Sequence, residues 1–316
     1  MTFVPAYVMV GQYFDKHRGK AMSLATMGSG AGNVFFAALI PLLFSAYGFS
    51  GMFFILGAIQ LNHVVSASVY RPPHETATAK TVEEKPHDVP LVEAGANDVK
   101  DLKSVEEKND SALLQSLHHL SALLTNVTFL TYAFVIVGMQ FCLVVFLIFL
   151  PKLALETGAR ESQLWYTLLI FGVLDIAGRL AVGVVFDLKI FRQNRSRPFC
   201  AVSLLFGVFV ACLTVAPSFQ SVCVLTALVA IFEGAMHSQR TTVISEFVCS
   251  EQVSLAVGVV IFCQGIGNLT GPFIAGKLTD HLLTSRYGFV VGGVLLMTSS
   301  IVFFLTRSCR MSHQDT

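Results

Sequence analysis

Residues 164–185 read LWYTLLIFGVLDIAGRLAVGVV, an apolar run interrupted only by Asp175 and Arg179. As a helix rising 1.5 Å per residue, this run is long enough to cross a hydrocarbon core about 30 Å thick. A charge at the centre of such a helix costs roughly 2.5–3.5 kcal/mol, although opposite charges four residues apart partly neutralise each other. The pair therefore predicts a membrane helix that turns both groups toward a protein interior or a water-filled cavity. A substrate or proton pathway is the usual setting, and a structural ion pair that locks the helix is the alternative.

The composition of the whole chain agrees with a membrane protein. Its 316 residues are 54% hydrophobic and 13% charged, with a mean hydropathy of +0.67, whereas a soluble domain has about 25% charged residues. We predict an all-α membrane protein with eight full transmembrane helices. They cover approximately residues 21–47, 52–70, 127–151, 162–185, 198–216, 221–245, 254–279 and 287–306. Met1–Phe14 is apolar but too short to cross, so we interpret it as the second half of a truncated first helix.

Residues 71–112 differ sharply from the rest of the chain. They hold ten of the 20 acidic residues, six basic residues and almost no aromatic side chains, so this segment cannot bury enough apolar surface to fold alone. We interpret it as a disordered linker between a front group of helices, residues 1–70, and a rear group of six helices, residues 113–306. A stripe formed by Leu113, Leu117, Leu120 and Leu124 predicts an interfacial lead-in helix. A simple extension of the next span is the alternative.

Lysine and arginine residues fall unevenly on the two sides of the predicted spans. Alternate connections, at residues 16–20, 71–108, 189–197 and 307–310, carry fifteen of them, whereas the opposite connections carry four, Lys152, Arg160, Lys277 and Arg286. Cytoplasmic loops of membrane proteins are enriched in these residues. We therefore predict that the linker and the C-terminal tail, residues 307–316, are cytoplasmic.

No motif indicates an enzyme, a metal centre or a bound cofactor. The seven cysteines lie mostly inside apolar runs without CxxC or Cys/His spacing, and the chain has neither HExxH nor a phosphate-binding loop after a strand. The net charge is +1, and the basic residues are divided among loops instead of forming one stripe. We expect no catalytic residue, no metal, no cofactor and no nucleic acid, and we expect the lipid bilayer as a partner.

A second ionisable cluster consists of Glu233, His237 and Arg240. Spacings of four and seven residues place the three side chains on one face of a helix. This helix runs in the same direction as the one with Asp175 and Arg179, so the two clusters are expected at similar depths. A second anion contact or a proton relay is one interpretation, and a buried structural pair is the other.

Small residues predict two places where helices pack closely. Gly28 and Gly32 lie one turn apart and let another backbone approach; a direct substrate role is the alternative. Gly271 precedes Pro272, which removes a backbone donor and predicts a kink near residue 268. Such a kink lets a helix bend during alternating access in carriers, although packing alone explains the same residues.

Four segments occur in a particular order along the chain. They are Tyr13–Ala21 (YFDKHRGKA) continued by Ala25–Gly32 (ATMGSGAG), Tyr47–Gly51 (YGFSG), Asp175–Arg179 (DIAGR) and Gly271–Asp280 (GPFIAGKLTD). Together they resemble signatures of the monocarboxylate transporter family within the major facilitator superfamily. The resemblance covers the chain outside the linker and implies an N-terminally truncated member with a partial major facilitator bundle. Phe49 and Ser50 stand where the family usually has Trp-Arg.

This resemblance implies a secondary active transporter that moves small monocarboxylates such as lactate or pyruvate, with proton symport. Arg179 would hold the substrate carboxylate in its planar fork and Asp175 would take part in proton coupling. We add Arg240 as a second substrate contact and Glu233 and His237 as proton-coupling residues. The resemblance also implies the plasma membrane, with a single-span glycoprotein chaperone as a candidate partner. Two alternatives stay open: a family member carrying aromatic amino acids or other organic solutes without a proton, and a truncated, non-transporting product or incomplete gene model.

Overall fold

The computed structural model describes residues 18–68, 117–186, 194–249, 252–282 and 284–314. Over these residues the protein is helical, and no β-strand occurs among them. The helices are α1 (Arg18–Gln60), α2 (Asn62–Ser68), α3 (117–125), α4 (Val127–Glu156), α5 (Leu164–Val185), α6 (Ser196–Cys212), α7 (Phe219–Ile244), α8 (Val253–Leu282) and α9 (Arg286–Gln314). The predictions made for Met1–Phe14 and for the linker at 71–112 lie outside the described residues.

Seven helical stretches in the described part of the chain are long and apolar enough to cross a membrane. Six of them contain α4 to α9, and most of their ends agree with the predicted spans within a few residues. The differences are at C-terminal ends, where α4 continues to Glu156 and α9 to Gln314, past the predicted ends at residues 151 and 306. Helix α8 is continuous through Pro272. The chain is an integral membrane protein.

The sequence predicted eight spans where the structure has seven stretches, because the first two are joined. The predicted spans at 21–47 and 52–70 lie in one apolar stretch of 47 residues, Lys20–Ser66. Inside α1, Gly48 departs from helical geometry with φ 65° and ψ −173°, a conformation that glycine adopts without the steric cost of a side chain. Two helical parts therefore meet at Gly48, close to the predicted boundary.

Helices α4 to α9 pack into a bundle with an aromatic core. Helix α4 packs against α8 and α9, α5 against α7, and α6 against α7 and α9. The ring of Tyr132 lies 5.3–5.7 Å from the rings of Phe199, Phe247 and Phe303, and its hydroxyl donates a hydrogen bond to the carbonyl of Arg240. Helix α1 lies against α5 and α7, the two helices that carry the ionisable clusters.

One carboxylate joins three helix ends. Glu246, just past the end of α7, accepts hydrogen bonds from the backbone N–H groups of Arg195 and Ser196 and from the Ser196 hydroxyl. Its Oε2 also lies 3.7 Å from Nη2 of Arg307 on α9. The first turn of a helix offers unpaired N–H groups and a positive dipole end to such an anion. Glu246 therefore fastens the start of α6 to the end of α7 and to α9.

The predicted packing glycines differ in what they contact. A Cβ atom on Gly271 would lie 3.2 Å from the carbonyl oxygen of Phe141, so α8 does approach α4 closely there. A Cβ atom on Gly28 or Gly32 would meet nothing within 4 Å among the described residues. Neither glycine contacts another described helix, and the packing role of these two positions stays a prediction. Helix α1 makes its close contact through the intervening Gly30, because the rotation of the helix turns that face toward α5.

A helix, α3, lies where the sequence predicts the interfacial lead-in helix, and it ends before Asn126, the N-cap of α4. Leu123 is only 2% exposed, whereas Leu117 and Leu124 of the predicted stripe are exposed. Leu120 of the predicted stripe is half-buried, and Leu113 lies outside the described residues. An exposed leucine stripe on a helix next to a membrane span suits contact with lipid.

We predict that Gly178→Ala destabilises the contact between α5 and α7. Gly178 faces the carbonyl oxygen of Ile231 so closely that a Cβ atom would overlap it. Because a backbone carbonyl cannot rotate away, the two helices must separate, and overpacking of this kind costs about 1–3 kcal/mol. Thermal unfolding of the detergent-purified protein should give a lower Tm. Gly258→Ala is the matched control, since a Cβ atom there meets nothing within 4 Å among the described residues. Equal Tm values for the two variants would contradict this contact.

Candidate functional site

The two charged residues of α5 form a buried ion pair. The Nε of Arg179 donates a hydrogen bond of 2.8 Å to Oδ1 of Asp175 across one helical turn. Asp175 is 0% exposed and Arg179 is 2% exposed. The ion pair thus lies in the protein interior in this conformation, which is one of the two environments that the sequence predicted for it. Charges buried in this way are tolerated only with good partners, and further partners come from two other helices.

Helix α7 contributes one of these partners. Oε2 of Glu233 lies 3.6 Å from Nη2 of Arg179, and Oε1 of Glu233 lies 3.3 Å from Nδ1 of His237. We call Asp175, Arg179, Glu233 and His237 the ion cluster. Arg240 follows on the same face of α7 and is 2% exposed. The structure thus brings four of the five residues predicted for solute and proton binding into contact, and it buries Arg240 next to them along α7.

Helix α1 covers the ion cluster from the opposite side. Nη1 of Arg179 donates a 3.2 Å hydrogen bond to the carbonyl of Thr26, and Nε2 of Gln239 on α7 donates a 3.3 Å hydrogen bond to Oγ of Ser23. Gly30 lies directly against the carboxylate of the ion pair. Ser23, Thr26 and Gly30 are all buried, and their spacing places them on one helical face. The ion cluster is therefore also a contact between the front and rear helices, which the sequence did not predict.

A polar contact between α4 and α8 was also missed. Nε2 of Gln140 donates a 2.8 Å hydrogen bond to Oδ1 of Asn268, and Oε1 of Gln140 accepts a 2.9 Å hydrogen bond from Nε2 of Gln264. Amide hydrogen bonds between membrane helices stabilise their association, because lipid offers no alternative partner. Of these three residues, only Asn268 lies at a place for which the sequence predicted a feature, the kink near residue 268. Nothing in the spacing of the chain pairs it with Gln140.

Two grooves lined by described residues lie away from the ion cluster. One, of about 790 Å³, is formed by α3 and α8, with His119, Gln252 and Phe262 among its lining residues. The other, of about 610 Å³, lies between the start of α4 and the end of α9, where Asn126 and Arg310 line it. Neither is lined by a member of the ion cluster. These two grooves therefore give a solute no direct access to the ion cluster.

We expect Glu233→Ala to destabilise the protein through the ion cluster. The substitution removes the anion next to both Arg179 and His237, and breaking a buried ion pair by removing one partner costs about 3 kcal/mol. Thermal unfolding in detergent measures the effect. Glu161→Ala, at an exposed position before α5, is the matched loss of a carboxylate and should leave the Tm unchanged. The same Tm for both variants would show that Glu233 contributes nothing to the folded state.

A family model described as the Major Facilitator Superfamily matches residues 1–202 and, in a second alignment, residues 191–314. These two matches together extend from the front helices to the end of α9. The all-helical architecture of the described residues is consistent with that superfamily.

Individual relatives are similar at low identity. Monocarboxylate transporter 12 of Mus musculus is 27% identical over 311 residues, covering 97% of this chain and 63% of that protein. Monocarboxylate transporter 3 of Gallus gallus is 26% identical over 320 residues, covering 98% and 58%. Monocarboxylate transporter 4 of Mus musculus is 28% identical over 313 residues, covering 96% and 60%. The chain thus spans about 60% of the length of these relatives. Their names are those of transporters and not of enzymes, which agrees with the motifs in the sequence.

Proposed function

The chain belongs to the Major Facilitator Superfamily, and we propose that it serves in a secondary active transporter that moves small monocarboxylates, such as lactate or pyruvate, together with a proton. The observation that carries the proposal is the ion cluster, in which a guanidinium lies between two carboxylates in membrane-spanning helices. Buried ionisable groups in such helices commonly mark ion and substrate pathways. The similarity to proteins named monocarboxylate transporters supports the class of solute.

Arg179 is the residue we assign to the solute carboxylate. A guanidinium presents parallel N–H groups that match the two oxygens of a carboxylate. Its Nε is held by Asp175, which fixes the plane of the group, while Nη1 donates to the neutral carbonyl of Thr26. A solute carboxylate is a stronger acceptor than that carbonyl because it carries a full charge. In this mechanism the solute takes the place of the Thr26 carbonyl when α1 moves away from α5.

Charge balance couples the solute to a proton. Asp175 and Glu233 are matched by Arg179 and Arg240, so the formal charges of these four buried groups cancel. An entering monocarboxylate adds one negative charge to a site where unbalanced charge is costly. A proton taken up by a carboxylate of the site restores neutrality. The expected ratio is therefore one proton for each solute molecule.

The remaining members of the site extend the proton path along α7. His237 contacts Glu233 at 3.3 Å, and an imidazole can accept a proton on one nitrogen while releasing one from the other. His237 is also the most open member of the cluster, with 12% of its side chain exposed. We assign Glu233 and His237 to the relay between Asp175 and water. Arg240 serves as a second contact for the anion.

The placement of the protein in the cell is part of the same proposal. The distribution of lysine and arginine supports an orientation with residues 71–112 and the C-terminal tail in the cytoplasm. We further propose that the protein lies in the plasma membrane with a single-span glycoprotein as a chaperone partner, as the family resemblance of its sequence motifs implies. If this chain instead carries aromatic amino acids or other organic solutes without a proton, Arg179 would bind the solute in the same way as a monocarboxylate.

A structural role for the ion cluster is the second candidate. The observation in its favour is the complete burial of Asp175 together with the hydrogen bond from Arg179 to Thr26. In that case the cluster would lock α1, α5 and α7 together in a membrane protein that does not transport. The two candidates predict different results for folded protein that lacks Arg179. In the transport role this protein loses the solute uptake that the unsubstituted protein shows, whereas in the structural role neither protein takes up solute.

We predict that Arg179→Ala abolishes carboxylate uptake while the protein still inserts into the membrane. Loss of a buried, charge-assisted contact worth roughly 3 kcal/mol lowers affinity about 100-fold. The measurement is uptake of radiolabelled lactate or pyruvate into proteoliposomes, with and without an inward proton gradient. Arg179→Lys keeps the charge but lacks the planar fork, so it should restore little uptake.

Arg197→Ala is the matched control, because Arg197 is an exposed arginine near the start of α6. It should transport like the unsubstituted protein. Undiminished uptake by folded Arg179→Ala would end the role assigned to this arginine. Uptake by the unsubstituted protein that ignores the proton gradient would end the coupling, and no uptake of any tested carboxylate would favour the structural candidate.

A further inference from the structure

The two oxygens of the Asp175 carboxylate have different surroundings. Oδ1 accepts the hydrogen bond from Nε of Arg179 at 2.8 Å. Oδ2 is buried and has no hydrogen-bond partner among the described residues. It lies against α1 instead, where a Cβ atom on Gly30 would come within 2.7 Å of it. A buried carboxylate oxygen without a donor is costly, so this arrangement calls for an explanation.

Gly30 leaves the space that Oδ2 occupies. A Cβ atom at position 30 would lie 2.7 Å from Oδ2 and 2.8 Å from Cγ1 of Ile176, closer than Cβ atoms are normally found, so any other residue there would force one of these side chains or the helices to shift. Glycine is also a poorer helix former than alanine, and its presence in a buried helical turn therefore needs a packing reason. Gly28 and Gly32 of the same helix have open space around them among the described residues. The contact with Asp175 is thus particular to Gly30.

We propose that Gly30 is a positioning residue for Asp175, and that Oδ2 is the oxygen that takes up and releases the transported proton. This inference rests on the proposed function. The O–H bond forms with a proton from water on one side of the membrane and breaks when that proton passes to water on the other side. Helix α1 covers Oδ2 in the present conformation, so direct contact of this oxygen with water requires α1 to withdraw from α5, whereas the relay through Glu233 and His237 reaches Asp175 from α7. Gly30 thereby makes proton exchange dependent on the arrangement of the front and rear helices.

A substitution at Gly30 can move the Asp175 carboxylate without changing any charged group around it. The charged or titratable neighbours are Arg179 on its own helix and Glu233, His237 and Arg240 on α7. The described contacts of α1 at this level come from the Thr26 carbonyl and from Gly30, which carry no formal charge. On the α7 side, a Cβ atom on Gly234 would come within 2.6 Å of Oδ1, but it would also overlap the main-chain carbonyl of Asp175. Substitution at Gly30 is the cleaner test, because it meets only side-chain atoms of Asp175 and Ile176.

The first experiment separates proton release from solute movement in proteoliposomes. Net uptake requires the carrier to return empty after losing its proton, whereas exchange of internal for external solute lets it return loaded. Gly30→Ala should lower gradient-driven net uptake of lactate about tenfold, because the rate of a reaction at a positioned group such as the Asp175 carboxylate falls steeply when that group is displaced by about 1 Å. Exchange should stay within about twofold of the unsubstituted protein. Gly28→Ala, with the same gain of a methyl group on the same helix, should leave both rates unchanged.

Gly172→Ala tests whether crowding between α1 and α5 is enough to produce that result. A Cβ atom there would overlap the side chain of Val34 and not the carboxylate. General damage to this contact should reduce net uptake and exchange to the same extent. If Gly30→Ala also lowers both rates equally, or if it behaves like Gly28→Ala, the positioning role is overturned.

A second experiment examines the contact without any transport measurement. Gly30→Ala should lower the Tm of the detergent-purified protein by about 3 °C or more, and Asp175→Gly should relieve this loss, because it removes the oxygen that the methyl group meets. The clash with Ile176 is present in both backgrounds and cancels in the comparison. If the unsubstituted protein transports no carboxylate, the proposed function fails. The comparison of Tm losses with and without Asp175 then tests by itself whether Gly30 positions the carboxylate. Equal Tm losses in the two backgrounds would then overturn the inference.

Discussion

The charge pairing between α5 and α7 is the interaction on which the rest of the structure depends. In hydrocarbon, neither the Arg179 guanidinium nor the two carboxylates beside it has water to solvate it. These helices can therefore cross a membrane only with their charged faces turned toward each other. Gly178 and Gly234 permit that approach, because their missing side chains let α5 and α7 come close on either side of Asp175. Packing and electrostatics thus impose the same orientation on both helices.

The same pairing brings the front of the chain to the rear bundle. In the described contacts, helix α1 meets the ion cluster with the Thr26 carbonyl and with Gly30, and the neighbouring Gln239 with the Ser23 hydroxyl, none of which carries a formal charge. Such a contact can open at lower cost than an ion pair, since a neutral acceptor is easily replaced by water or by an anion. The charged contacts within the rear helices are stronger than the neutral contacts that join α1 to them. This difference suits a protein whose two parts separate and rejoin.

Much of this arrangement could be predicted from the sequence, and the remainder has identifiable physical causes. The ion pair of α5 and the shared face of α7 follow from spacings of three, four and seven residues, which are fixed by helix geometry. Which glycines of α1 meet α5 does not follow, because Gly28, Gly30 and Gly32 are all small and only tertiary packing selects the rotation of the helix. The hydrogen bonds of Gln140 with two side chains of α8 are equally invisible, since they join positions more than 120 residues apart. The spacing of residues thus predicts which side chains share a helix face, whereas the tertiary contacts decide which helix faces pack together.

The carboxylate of Glu246 has a mechanical consequence. By holding the start of α6, the end of α7 and the last part of α9 at one point, it prevents these helices from sliding past one another along their axes. A shift of α7 along its axis is then passed on to α6 and α9 through this one carboxylate. The described contacts of α1 with the ion cluster come from a carbonyl and a glycine, so they restrain α1 less than the charged contacts of Glu246 restrain the three rear helices.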